Sequence, residues 1–227
     1  MRPLWVLGAG GHAKCVIDAA LAEGKYRIAG VLDDHPGLGW GSVLGLPIRG
    51  PISAESVARF EIEAAVIAVG SNAARAEIAR RFRGRLTWAT VVHPGATLGR
   101  STRVGEGTVI LAGVVVQPDG SIGDHAILNS NATLGHDATI GDFAHVAPGV
   151  AIAGCVRVGA GTLLGVGSRV VPGLTIGAWA TVGAGSVVLR DVPGRTTVVG
   201  VPARALPGPS SPASPALAPS DGERARG

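Results

Sequence analysis

The sequence predicts two architectures in series: a small α/β layer, then a parallel β-helix of hexapeptide repeats. Three observations predict this. Short apolar runs alternate with helical patterns over residues 1–90. From Val92 to Val188 an aliphatic residue then recurs at every sixth position. Glycine makes up 36 of 227 residues, hydrophobic residues 46%, charged residues 16% and aromatics 4%. That is a chemistry of small side chains and tight turns, poorly suited to a helical bundle. A collagen-like chain is excluded because no G-X-Y period exists, and global disorder because β-branched residues are plentiful.

Residues 1–90 are expected to form one domain. Residues 4–7 form a short apolar strand that runs into the glycine turn 8–13. Over 14–23, Val16, Ile17, Ala20 and Leu21 recur at helical spacing, and Gly24 stops the helix. A second strand over 27–32 ends in Asp33-Asp34, and 35–52, rich in Gly and Pro, reads as loop. An apolar strand at 64–69, a helix at 73–82 and a strand at 86–91 complete a parallel sheet with helices. Gly8-x-Gly10-x-x-Ala13, between strand and helix, fits the dinucleotide fingerprint, and an acid follows about 20 residues later. The domain is therefore Rossmann-like. Ninety residues are short for two mononucleotide halves. The firmer content is that backbone N–H groups at a helix N-terminus hold a phosphate, and a nucleoside diphosphate sugar satisfies that as well as NAD.

Residues 91–193 obey the period of six. All 17 phased positions from 92 to 188 are aliphatic. The second position of each hexad is often glycine, and the fifth is usually Ala, Thr or Ser. One buried aliphatic per six residues, three hexads per coil, makes a triangular prism in which each residue stacks on the one 18 positions away. The small fifth residues fit a narrow interior, and the glycines are expected at tight corners. At about 4.8 Å per layer the prism stands roughly 27 Å tall. Hexapeptide β-helices of known families are left-handed, which sets the expected hand; the spacing alone does not.

Residues 194–206 read as a C-terminal cap segment. Residues 207–227, with five prolines among Ser and Ala, read as a disordered tail. The net charge is +4 and no basic run interleaves with aromatics, so nucleic acid is not an expected partner. Cys15 and Cys155 show no disulfide or metal spacing, which points to a cytoplasmic chain, with Cys155 a bystander at a corner. Neither a signal peptide nor a membrane span is expected.

These residues together resemble the sugar O- and N-acyltransferases of bacterial glycan synthesis. That family includes sialic acid O-acetyltransferases and the N-acetyltransferases of nucleotide-linked amino sugars such as bacillosamine and perosamine precursors. The resemblance spans roughly residues 3–206. It is carried by GAGGHAK (8–14), LDD (32–34), the hexad array, NSNATLGHDATIGDFAHVAPGVAIAG (129–154) and GVPAR (200–204). It implies acetyl-CoA as acyl donor, no metal, and a homotrimer with active sites in grooves between prisms. It implies His136 as catalytic base and Asp137 as its acidic neighbour, where the family often carries the longer Glu. His145, Gly154, Val166 and Ala184 match acetyl-CoA contacts. Gly10, Gly11, His12, Asp33, Asp34 and Asn129 match the nucleotide-sugar site.

The chemistry stands on its own terms. An amine must lose a proton to attack a thioester, and histidine accepts one near neutral pH. An adjacent carboxylate fixes its tautomer. A backbone N–H near Gly154 is the expected oxyanion donor, and no covalent nucleophile is needed. His136 and His145 are nine residues apart, half a coil, so a site that uses both draws them from different subunits. His125, 20 residues before His145, is expected nearly beneath it and able to line the same groove. The expected function is acetyl-CoA-dependent N-acetylation of a nucleotide-linked 4-amino-4,6-dideoxy sugar. The alternatives are O-acetylation of a sialic-acid-type sugar, a γ-carbonic-anhydrase-like metalloenzyme, and a non-catalytic nucleotide-sugar binder. The histidine spacings of 11 and 9 stack no two imidazoles, which disfavours the metalloenzyme.

Overall fold

A computed structural model describes residues 1–34 and 41–206. The expected tail at 207–227 and the first part of the expected loop, 35–40, lie outside the described residues. Among the described residues no helix is long and apolar enough to cross a membrane.

The N-terminal layer is a four-stranded parallel sheet. Its elements are β1 (Arg2–Leu7), α1 (Gly11–Glu23), β2 (Tyr26–Leu32), the short antiparallel pair β3 (Ser42–Val43) and β4 (Leu46–Pro47), α2 (Ala54–Arg59), β5 (Ala64–Ile67), α3 (Asn72–Arg81) and β6 (Thr87–Trp88). The strand order is β2-β1-β5-β6. The chain thus moves outward on one side of β1 and returns on the other, leaving a topological switch point between the carboxyl ends of β1 and β5. Open α/β sheets bind ligands in that crevice. α1 and α3 appear within a residue or three of their expected positions. The six-residue α2, too short to show a helical period, starts on Ser53, whose hydroxyl accepts from the Ser56 N–H at 3.1 Å.

From Val91–Val92 onward the chain winds a β-helix whose three faces carry eight, six and five strands. Each two-residue strand pairs in parallel with the one 18 residues on, as in Ile110 with Leu128 and Leu128 with Val146. The phased aliphatics fill the axis, with Leu128, Leu134, Ile140, Val146 and Ile152 all buried. Leu98, in the first coil, is 37% exposed because it sits at the open end of the stack. The last coil shortens: Val182 pairs with Val198, and Thr197–Val199 then pairs antiparallel with Arg204–Ala205.

The corners correct one expectation. The positive-φ residue is not the second-position glycine but the fourth residue of each hexad, at every such position from Ser101 to Gly185. Asp119, His125, Asn131, Asp137, Phe143, Cys155 and Trp179 all adopt this left-handed conformation. The second-position glycines serve another purpose. A Cβ on Gly159 would lie 2.5 Å from the Ala178 amide nitrogen, and one on Gly141 2.6 Å from that of Ala160. Successive coils pack too closely there for a side chain.

The two parts share a core. Ala13, Val16 and Ile17 of α1 pack with Val91, Val109 and Leu111 on the outer surface of the eight-stranded face. His125, expected to line a groove, is instead a buried packing residue. It stacks on Phe143 at 5.2 Å and meets the edge of Trp88 at 5.0 Å.

Candidate active site

Two clusters hold the candidate functional residues, one at a corner of the prism and one at the switch point of the N-terminal sheet. The first is His136–Asp137, at the corner that follows the strand Thr133–Leu134. His136 Nδ1 lies 2.8 Å from Asp137 Oδ2. An ionised carboxylate only accepts, so Nδ1 donates to it, and in the neutral ring the lone pair is then on Nε2. The pair is open to solvent, at 60% and 57% exposure. The imidazole lies over Gly154 one coil on, where a Cβ would come within 2.6 Å of Nε2. The backbone holds the corner: the His136 N–H donates to Gln117 Oε1 at 3.0 Å, and its carbonyl accepts from the Cys155 N–H at 2.8 Å.

The second cluster surrounds a cavity of about 520 Å³ lined by Gly8, Gly10, Gly11, His12, Asp33, Ala68, Val69 and Gly70. It occupies the switch point of the sheet. Gly8 has φ +119°, and a Cβ there would lie 2.8 Å from the Ala68 carbonyl oxygen, so only glycine lets β1 and β5 meet this closely. Gly10 and Gly11 differ: a Cβ on either meets nothing within 4 Å. Their missing side chains leave open space over the first turn of α1, whose N-cap Gly10 offers no side-chain hydrogen bond. The Asp33 carboxylate accepts from the Ala9 N–H and so ties the turn to the end of β2.

His12 faces the β-helix. Its ring centroid is 6.2 Å from that of His145, on the strand His145–Val146. His145 Nε2 accepts from the Asn129 side-chain amide at 3.2 Å, and Asn129 Oδ1 accepts from the Ser130 N–H, which orients that amide. Burial pushes the His145 pKa down to about 4, the Arg75 charge acts in the same sense, and a hydrogen bond to the Gly70 backbone opposes them. His12 is also pushed down to about 4, by burial first and then by His145 and Arg75. Its Nε2 is buried with no hydrogen-bond partner among the described residues.

Arg75 holds this cluster in place. It is 1% exposed. It donates to the carbonyls of Val69 (2.9 Å), His125 (2.7 Å) and Phe143 (2.7 Å), and to Asn72 Oδ1 (2.8 Å). Asn72 donates in turn to the Gly161 carbonyl at 3.0 Å. The guanidinium thus fastens the β5–α3 loop to two successive coils, and Asn72 extends the tie to a third. No sequence signal marks it; it is one arginine in an Ala- and Arg-rich helix.

The expected site residues therefore separate. Gly10, Gly11, His12 and Asp33 line the cavity, and Asn129 and His145 meet at its edge beside His12. Asp34 turns away, accepting from the Ile52 N–H at 2.7 Å with Arg81 3.7 Å distant. His136, Asp137 and Gly154 share one corner, between the six- and five-stranded faces. Val166 and Ala184 are exposed on another, between the eight- and six-stranded faces.

Comparison with known proteins bears on this arrangement. Residues 3–82 match the family described as PglD N-terminal domain, and residues 119–154 match bacterial transferase hexapeptide (six repeats). A UDP-N-acetylbacillosamine N-acetyltransferase of Bacillus subtilis (strain 168) is 38% identical over 120 residues, covering 49% of this chain and 52% of that protein. The match thus spans about half the length of this curated relative. A perosamine N-acetyltransferase from Caulobacter crescentus, a histidine-to-asparagine mutant solved with CoA and GDP-perosamine, is 37% identical, with a TM-score of 0.86 and coverage of 92% of this chain and 98% of that chain. The acetyltransferase domain of PglB from Neisseria gonorrhoeae FA1090, in complex with acetyl coenzyme A, is 33% identical, with a TM-score of 0.82 and coverage of 90% and 99%. The likeness runs through both the switch-point layer and the prism, and the chain belongs to the PglD-like hexapeptide-repeat acetyltransferases.

Proposed function

We propose that this chain is an acetyl-CoA-dependent N-acetyltransferase acting on the amino group of a nucleotide-linked 4-amino-4,6-dideoxy sugar. The observation that carries the reading is the His136–Asp137 pair: Nδ1 is held by a carboxylate and Nε2 is free. The relatives supply the substrate class, since theirs are named as bacillosamine and perosamine derivatives.

The cavity at the switch point takes the nucleoside diphosphate. Its phosphates face the open first turn of α1, where the helix N-terminus and its dipole favour an anion. The sugar then extends past His12 toward Asn129 and His145. Both imidazoles are held neutral there, and so offer hydrogen bonds without adding charge. The amine attacks the thioester carbonyl directly. Its proton passes to His136 Nε2, the tetrahedral oxyanion is met by a backbone N–H near Gly154, and collapse expels the CoA thiolate, which takes up the proton.

The corner geometry supports a homotrimer. His136 and Gly154 sit on one edge of the prism and Val166 and Ala184 on another, so both sets line a single groove only when edges of two copies meet. Both substrates are cytoplasmic metabolites, which supports that location.

The test is turnover of acetyl-CoA against UDP-, GDP- and dTDP-linked 4-amino sugars, with hydroxy-sugars as controls. Acylation confined to hydroxyl acceptors overturns the reading. His136→Ala is expected to lower turnover by about two orders of magnitude or more while acetyl-CoA binding is kept. Unchanged turnover removes His136 from the role of base.

A further inference from the structure

We propose that His136, Asp137 and Cys155 form an inhibitory binding site for a zinc-class divalent cation, which silences the base when occupied. The effect on turnover rests on the reading of His136 above; the binding does not.

One ligand atom from each residue, an imidazole nitrogen, a carboxylate oxygen and a thiol sulfur, lies within 4.8 Å of the other two. The β-helix fixes this grouping. Asp137 and Cys155 occupy equivalent corners one coil apart, with φ of 59° and 60°, so they stack along the prism. His136 precedes Asp137, and its carbonyl accepts from the Cys155 N–H at 2.8 Å. The backbone of all three is thereby set by the ladder. The side chains are exposed, and only modest rotation brings the ligand atoms to the roughly 3.5 Å separations of a tetrahedral zinc site.

The donor set selects the cation. Nitrogen and sulfur disfavour magnesium and calcium and favour zinc, cadmium or cobalt, with water in the fourth position. Binding displaces the proton of the Cys155 thiol, which becomes a thiolate ligand. Nδ1, the nitrogen beside Asp137, takes the metal, and the ring hydrogen then resides on Nε2. Nε2 is the atom that would accept the proton of the substrate amine. The cation thus removes the lone pair needed for catalysis by fixing the opposite tautomer. Cys155 has no part in the proposed reaction, so the thiol is needed by the inhibitor and not by turnover.

The test uses the full chain, without added thiol, with acetylated product followed by chromatography. Zinc is expected to inhibit the wild type at micromolar concentrations, with recovery on adding a chelator. Cys155→Ala is expected to keep turnover within about twofold and to need roughly tenfold or more zinc for the same inhibition. Independently of turnover, cobalt added to the wild type is expected to give a thiolate-to-cobalt charge-transfer band that Cys155→Ala lacks. That variant keeps Cys15, so a band arising from Cys15 would persist. Equal zinc sensitivity of the two proteins, or a cobalt band unaffected by the substitution, overturns the proposal. A wild type without acetyltransferase activity that still shows the Cys155-dependent band overturns the functional reading and leaves the metal site standing.

Discussion

At the scale of single residues, two kinds of glycine separate by what their missing Cβ would meet. Gly8 is required by the protein itself, because β5 leaves no room for a side chain. Gly10 faces open space, with φ −72° and ψ −172°, a conformation any residue adopts. Gly10→Val should therefore leave the melting temperature nearly unchanged while obstructing the cavity. The expected result is a rise of roughly tenfold in KM for the nucleotide sugar, with KM for acetyl-CoA unaffected, measured by initial rates. An equal rise in both constants would place the nucleotide elsewhere. His136–Asp137 was legible in the sequence because the pair is adjacent and matches a known family. The partnership of Asn129, His145 and His12 was not legible. The turn and the prism are more than a hundred residues apart in the chain, and only folding brings them together.

At the scale of elements, the period of six in aliphatic residues translated directly into strand register, since one residue per hexad must reach the axis. The corner chemistry did not. Glycine serves both at positions of positive φ and at positions of close approach, and composition cannot tell the two uses apart. The left-handed corners accept His, Phe, Cys and Trp as well as Gly, Asn and Asp, so they left no consistent mark. The close-approach positions are the more demanding ones. Gly159→Ala forces a Cβ against the Ala178 amide, and the ladder on either side limits relaxation. A loss of about 1–3 kcal/mol in unfolding free energy is expected by urea denaturation. A variant as stable as the wild type would mean that the coils separate more readily than the ladder implies. Helix α2 escaped notice because six residues are too few to display a helical period.

At the scale of the whole molecule, Arg75 ties the N-terminal layer to the prism. Its acceptors are neutral oxygens from the β5–α3 loop and from successive coils, so it acts as a bracket between the two parts, alongside Asn72, which donates to the Gly161 carbonyl. Arg75→Met strands several buried carbonyls and is expected to cost at least about 3 kcal/mol. It should also lower turnover at temperatures where the variant remains folded, while acetyl-CoA binding is kept. Full turnover in the folded variant would reduce Arg75 to a stabilising role. The same interface holds three histidines, His12, His125 and His145, each with a pKa pushed down to about 4, burial being the largest cause. Between that value and the ordinary one near 6.5, the unfolded chain binds protons that the folded chain does not. Their contribution to stability is complete above about pH 6.5 and is lost as pH falls toward 4. The melting temperature should drop steadily from pH 7 to pH 4.5, and His125→Phe, which keeps the stack on Phe143, should flatten that slope. A flat wild-type profile would show that the buried rings take up protons as readily as those of the unfolded chain. The sequence by itself determined the prism, its register and the adjacency of His136 and Asp137, because a strict repeat and neighbouring residues are local information. Only the tertiary structure decided which side chains share the cavity edge, which glycines are obligatory and that a buried arginine joins the two parts. Those depend on contacts between residues far apart in the chain, for which neither spacing nor composition carries a signal.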